Sequence, residues 1–489
     1  MEHSNNRGAV AIEARRVASG DAGLDRILGG GIFRGAVTIL QGMPGAGKTT
    51  LANQMAFENS RRGGRTVYIT LLSESHGRMT ASLTPMRFFD DAEIGQTIHY
   101  VSGYSILMEE GARALLHLIG SEARDREANL VVLDGLFVLG DAGLTESEYR
   151  RFVNDLALQA ELMGCTVLLL TNGRRASDSP EFTMVDGWLE LGWQVAGHRA
   201  CRFIEAHKLR GSGFLAGRHS LRISTAGVEV FPRLESYLGH RPRVPTADAR
   251  VSTGVDAIDA MLGGGLPAFS NTLVWGPTGI GKTTVGLHFL SMCSPDAPGL
   301  LFGFYESPEE CVHGARRRGI DLESRIADGS LQVVWHPPTE HDLDMLGHAL
   351  LDNVRTRGVR RLLIDGIDAF EKVALEPGRL HRYLTALTYE LRSAGCTSMF
   401  TSEIAGLFDE QPLVLAGDRS AIGQNILLMR YAQQGERLTR SLSWLKVRES
   451  AFDTRAHAFE IGAGGLRLQA PLDPRSTPAA CMATGTAGA

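Results

Sequence analysis

The chain has 489 residues, of which 43% are hydrophobic and 21% charged, and its formal net charge is −5. That length exceeds one ordinary core and predicts two large domains, while the composition excludes a disordered chain and the charge gives no general attraction to nucleic acid or anionic membrane. The polar start MEHSNNRGAV carries no apolar targeting run, and no stretch of about 18 apolar residues predicts a membrane span. The six cysteines form no C-x-x-C or Cys/His cluster, so a reducing, cytoplasmic setting is the expectation.

After an N-terminal extension (residues 1–14), the segment SGDAGLDRILGGGIFRGAVTILQGMPGAGKTT (19–50) returns as TGVDAIDAMLGGGLPAFSNTLVWGPTGIGKTT (253–284). The correspondence continues at a nearly constant offset. LVVLDG (130–135) answers LLIDG (362–366), Gly164-Cys165-Thr166 answers Gly395-Cys396-Thr397, and HKLRG (207–211) answers LKVRE (445–449). An ordered series of matches is a tandem duplication. It sets a first domain at 15–235, a linker at 236–249 with two prolines, a second domain at 250–470, and a small, polar tail at 471–489 expected to be disordered.

Within each copy, short apolar runs alternate with helical patterns. AVTILQG, TVYITLL, NLVVLD and TVLLLTN lie in the first copy; NTLVWG, LLFGFY, RLLID and TSMFTS lie in the second. Runs apolar on both faces and separated by helices predict α/β domains, each a mainly parallel sheet with right-handed crossovers.

GMPGAGKTT (42–50) and GPTGIGKTT (276–284) both fit G-x-x-x-x-G-K-[ST]. Gly42, Gly45 and Gly47, like Gly276, Gly279 and Gly281, allow tight turns whose N–H groups face phosphate oxygens at a helix N-terminus. Lys48 and Lys282 would reach the β- and γ-phosphates, Thr49 and Thr283 would offer a hydroxyl to Mg²⁺, and Thr50 and Thr284 complete the loops. Asp134 and Asp365 end apolar strands where a magnesium-supporting aspartate is expected. ATP and Mg²⁺ are therefore the expected ligands of both copies.

These residues and the LGGG lead-in resemble the KaiC family of ATPases, with tandem RecA-like P-loop NTPase domains, and the likeness covers both halves. HKLRGSGFLAGRHSLRISTAGVEVFP (207–232) is similar to the end of a KaiC domain. The resemblance implies ATP hydrolysis, a six-membered ring with ATP at subunit borders, and a K-x-R pair reaching in from the neighbour. That pair maps to Lys208/Arg210 and Lys446/Arg448, cations suited to offset γ-phosphate charge. It also implies a clock-type or signalling protein partner. The acidic balance and the lack of an added DNA-binding domain weigh against a DNA-dependent ATPase.

Two departures from the family pattern stand out. Where relatives carry two adjacent glutamates after the second strand, LLSES (71–75) and GFYES (303–307) leave only Glu74 and Glu306, when aligned on their closing serines. Ser73 and Tyr305 then replace the first glutamate, and neither polarises water well near neutral pH. Glu74 and Glu306 are the catalytic candidates; the alternative is a nucleotide-sensing scaffold with little turnover. Ser307-Pro308-Glu309-Glu310 already supplies a capping box, so Glu306 is not needed as a cap. In the second domain the family's Ser-Thr phosphoacceptor pair maps to Ser420-Ala421. One acceptor for autokinase chemistry survives, although Ser420 also reads simply as a turn serine after Gly417-Asp418. Thr171-Asn172 and Thr401-Ser402 end strands beside the expected phosphate site, as γ-phosphate sensors or as ordinary turn polars.

Overall fold

In both halves the phosphate-loop strand is packed between two parallel neighbours, because its side chains are apolar on both faces. A computed structural model describes residues 16–72, 76–172, 181–196, 198–239, 244–245, 248–337, 342–404, 422–434, 437–448 and 450–471. The chain divides between Ser236 and Tyr237 into two compact units.

The first unit is built on a nine-stranded sheet. Its order from one edge is Ile98–Ser102, Thr66–Thr70, Leu130–Asp134, Thr166–Thr171, Val37–Gly42 and Gly187–Ala196, all in parallel register. The antiparallel strands Arg199–Leu209, Arg218–Ser224 and Gly227–Phe231 extend it to the other edge. The second unit repeats this order with Leu331–Trp335, Gly299–Gly303, Arg361–Asp365, Thr397–Glu403, Asn271–Gly276 and Asn425–Gln434. Its antiparallel extension is Arg437–Val447, His457–Gly462 and Gly465–Pro471. The expected mainly parallel α/β domains are thus present twice, as RecA-like folds. The antiparallel extension is an addition that alternating apolar runs alone do not announce.

Strand alternation divides the side chains between two cores. In the first unit Leu40, Tyr68, Val132 and Leu168 meet the helix Lys48–Arg61 through Leu51, Met55 and Ala56. Val37, Ile39, Val131 and Leu133 face the helices Ala112–Asp125 and Glu146–Met163 through Leu115, Ile119, Phe152 and Leu156. A parallel sheet needs this cover on both faces, since neither face tolerates water.

The LGGG lead-in has its own local logic. Arg16–Val17 pairs with Ile32–Phe33, and Arg250–Val251 pairs with Leu266–Pro267. A Cβ on Gly31 would lie 2.3 Å from the Val17 carbonyl oxygen, and one on Gly265 would lie 2.6 Å from that of Val251, both at positive φ. Only glycine permits that approach. An arginine clasps each turn. Arg16 donates to the Leu28 and Gly31 carbonyls at 2.9 and 2.7 Å and to Ser212 Oγ at 2.8 Å. Arg250 donates to the Gly265 carbonyl at 3.3 Å and to Ser450 Oγ at 2.7 Å.

Candidate functional site

The C-terminal ends of the parallel strands gather the polar residues of each unit, as open α/β sheets require of a ligand crevice. Gly47 and Gly281 cap their helices in the left-handed region, at φ 105° and 116°. The helices Lys48–Arg61 and Lys282–Ser291 follow, so their free N-terminal N–H groups open at the loop. Lys48 Nζ donates to the carbonyls of Gly42 and Met43 at 2.6 and 3.2 Å, and Lys282 Nζ to those of Gly276 and Pro277 at 2.9 and 3.0 Å. Burial pushes both ammonium groups below the usual lysine value; Asp134 offsets this for Lys48, and Glu403, Asp365 and Asp368 do so for Lys282.

The threonine after each lysine meets the strand-end aspartate. Thr49 Oγ1 donates to Asp134 at 3.1 Å, and Thr283 Oγ1 lies 3.1 Å from both oxygens of Asp365. Burial pushes the Asp365 carboxyl above the usual range, and the hydrogen bonds from Thr401 and Thr283 work against that. Phosphate loop, lysine, threonine and aspartate are therefore adjacent in both units.

The surroundings differ. In the first unit Tyr68 Oη donates to Asp134 at 2.7 Å, its ring lies 5.3 Å from that of Tyr100, and Tyr100 Oη donates to Asn53 at 2.8 Å. Sheet register and helix position put Leu301, Val333 and Leu287 at the matching places of the second unit. There, Thr401 Oγ1 donates to Asp365 at 2.7 Å and accepts the Gly366 N–H at 2.7 Å, while Ser402 donates to Asp368 at 3.0 Å. Glu403 Oε1 accepts from Thr278 of the phosphate loop at 3.0 Å. Pro44, Phe137 and Asn172 stand at the matching positions of the first unit, and the hydroxyl of Thr171 is buried without a partner. None of Thr278, Asp368 and Glu403 was singled out from the sequence. Their signal was present as a difference between the repeats, Pro-Phe-Asn against Thr-Asp-Glu, and it acquires meaning only once the strand order is known.

Tyr305 packs its ring against Gly366, where a Cβ would come within 2.5 Å of it, and Lys372 Nζ lies 4.9 Å from its centroid. Leu72 covers Gly135 in the same manner in the first unit. Thr70 pairs with Asp134 and Gly303 with Asp365, so sheet register matches Tyr305 to Leu72. Alignment on the closing serines had matched it to Ser73. The first copy has one more residue between strand end and closing serine, which a comparison by letters absorbs without trace. Glu74, with Ser73, lies outside the described residues, and so do Ser420 and Ala421. Glu306 is described: its carboxyl is raised by burial and then by the charge of Asp365. Ser307 and Glu310 form the expected capping box, with Pro308 in the first turn.

The K-x-R pairs occupy matching strand ends. Lys208 Nζ donates to the carbonyls of Phe182 and Thr183 at 3.0 and 2.8 Å, and Lys446 Nζ to that of Gly423 at 2.9 Å. Arg210 and Arg448 lie just past the strands and are exposed; Arg210 pairs with Asp186 at 3.5 Å. Lys208 Nζ and the Arg210 guanidinium both donate to the Thr183 carbonyl, at 2.8 and 3.2 Å, so this pair lies on one side of its strand end.

Comparison with known proteins agrees with this architecture. The KaiC ATPase family profile matches residues 17–235 and again 251–473. The circadian clock oscillator protein KaiC of Picosynechococcus sp. is 24% identical over 479 residues, spanning 95% of this chain and 92% of that protein. Those of Thermostichus vulcanus and Nostoc sp. are each 24% identical, spanning 94% and 96% of this chain and 90% and 91% of their own. Among the described residues no helix is long and apolar enough to cross a membrane. With both halves matched by one profile and two complete phosphate loops in place, the chain belongs to the KaiC family of ATPases.

Proposed function

We propose that both domains bind Mg–ATP at their phosphate loops and hydrolyse it. The observation that carries this reading is the repeated contact of the loop threonine with the strand-end aspartate, at 3.1 Å in each unit. Hydroxyl and carboxylate oxygens are the hard donors that magnesium takes, so Thr49 with Asp134 and Thr283 with Asp365 fit the ion. When bound, it neutralises charge on the β- and γ-phosphates. Gly42, Gly45, Gly47 and Thr50, with Gly276, Gly279, Gly281 and Thr284, hold the phosphates beside Lys48 and Lys282. Glu74 and Glu306 are the family-position carboxylates.

We further propose, as the family resemblance implies, a homohexameric, cytoplasmic assembly in which Lys208/Arg210 and Lys446/Arg448 face a neighbour's nucleotide. The exposure of Arg210 and Arg448 suits that role. Sedimentation with and without ATP tests it: a ring requires ATP-dependent assembly, and a monomer in both conditions removes the trans role. A clock-type or signalling protein would then be the partner.

Steady-state ATP hydrolysis by the full chain, compared with Lys48→Ala, Lys282→Ala and the double variant, tests the main reading. Each single variant should retain the other domain's turnover and the double variant none. A second reading, a nucleotide-sensing scaffold, is favoured by Tyr305, whose ring is committed to Gly366 and Lys372; ATP binding without turnover would select it. Autokinase activity turns on Ser420, and incorporation of γ-phosphate with a Ser420→Ala control decides it.

A further inference from the structure

We propose that Glu403 orients and deprotonates the attacking water at the second phosphate loop. This rests on the reading that the loop binds Mg–ATP, and it assigns the chemistry to a position outside the family glutamates. Glu403 ends the strand that lies between the phosphate-loop strand and the Asp365 strand, and its register partner is Gly276, the first residue of the loop. Its Oε1 accepts from Thr278 at 3.0 Å, which holds the carboxylate at the loop while the side chain stays open to solvent. It also lies in the field of Lys282 and Asp365.

The other candidates of this domain are placed less well. Tyr305 lies against Gly366 with Lys372 over its ring. Glu306 is exposed, and among the described residues no hydrogen bond ties its carboxylate to the phosphate loop. The first domain has Pro44 and Asn172 at the positions of Thr278 and Glu403, so the device belongs to one domain only. Thr278 anchors the acid and Glu403 supplies the charge.

In the step, the water oxygen forms a bond to the γ-phosphorus while the bond from that phosphorus to the β–γ bridging oxygen breaks. The electron pair stays on the bridging oxygen, which leaves as part of ADP. The water proton passes to the Glu403 carboxylate and from there to solvent, restoring the base. Lys282 lies close enough to offset the added negative charge beside the phosphates.

The test uses the full chain carrying Lys48→Ala, so that turnover reports the second domain. Hydrolysis and equilibrium binding of a fluorescent non-hydrolysable ATP analogue are measured with and without Glu403→Gln. Glu403→Gln should lower kcat by about 100-fold and leave analogue binding within about threefold. Unchanged turnover overturns the inference, as does tighter analogue binding at preserved kcat, which would make Glu403 merely a repelling charge. Binding without turnover in the Lys48→Ala parent overturns it while leaving nucleotide binding intact. No analogue binding in that parent removes the underlying reading and the inference together.

Discussion

The two phosphate sites share one cradle and differ in what surrounds it. In the first unit the polar investment lies under the aspartate, in the chain from Asp134 through Tyr68 to Tyr100 and Asn53. In the second that floor is Leu301, Val333 and Leu287, and the polar groups move to the rim as Thr278, Asp368 and Glu403. Backbone N–H groups, lysine and threonine answer to a phosphate that does not change, so duplication preserves them. The neighbouring positions answer to what is done with that phosphate, and there the copies part.

The largest effect should come from breaking either cradle. Lys48→Ala or Lys282→Ala should cut its own domain's turnover by ~100-fold or more, since each removes a cation aimed at developing phosphate charge. Measured singly on the full chain, unequal residual rates would show which domain dominates.

Next comes the arginine clasp. Arg16 is 9% exposed, makes three hydrogen bonds and lies 4.0 Å from the Phe33 ring; Arg250 makes two and is exposed. Arg16→Ala should cost about 2–3 kcal/mol and Arg250→Ala under ~1 kcal/mol, read as separate urea transitions of the two units. Equal losses would contradict the asymmetry.

Tyr68→Phe should cost the first domain about 1–2 kcal/mol by leaving Asp134 short of a buried donor. It should also shift the magnesium dependence of that domain's turnover, while Leu301→Val, on the apolar floor, should leave the second domain's magnesium dependence unchanged.

The smallest effect is a pH-dependent one. Asp21 caps the helix Ala22–Ile27 by accepting from the Leu24 N–H at 2.7 Å, and burial pushes its carboxyl up to about 6. A raised folded value means that its favourable contribution is present below the ordinary aspartate pKa and is lost as pH rises through about 6. Asp21→Asn keeps the cap without the charge. It should gain under ~1 kcal/mol at pH 7.5 and less at pH 5, by thermal unfolding. Val255 holds this place in the second unit without a side-chain cap, so only the first transition should move.

The loops and strand-end aspartates were legible in the sequence because contiguous residues encode them: a glycine pattern before a helix, and an acid after an apolar run. The capping box at Ser307 was legible for the same reason. Tyr68 and Glu403 were not, since each acts on a residue that is distant in the chain and becomes a neighbour only through strand order. The match of Tyr305 to Leu72 was hidden by a one-residue difference in loop length, which sheet register resolves and letters do not. The antiparallel extension was not read from the sequence, because its strands mix polar and apolar residues, as in HKLRG (207–211), where the parallel ones are continuous apolar runs.

The arginine clasp also bears on how the chain is made. Arg16 reaches Ser212 across 196 positions, and Arg250 reaches Ser450 across 200. Contacts of such separation form late, after the loop between them has been closed. A nascent chain cannot seal its first domain until Ser212 has left the ribosome, by which time Arg16 has waited through nearly the whole domain. The second domain repeats the wait at Ser450. In chain order Arg16 and Ser212 both precede the second phosphate loop (276–284), so every residue of the first clasp is translated before that loop.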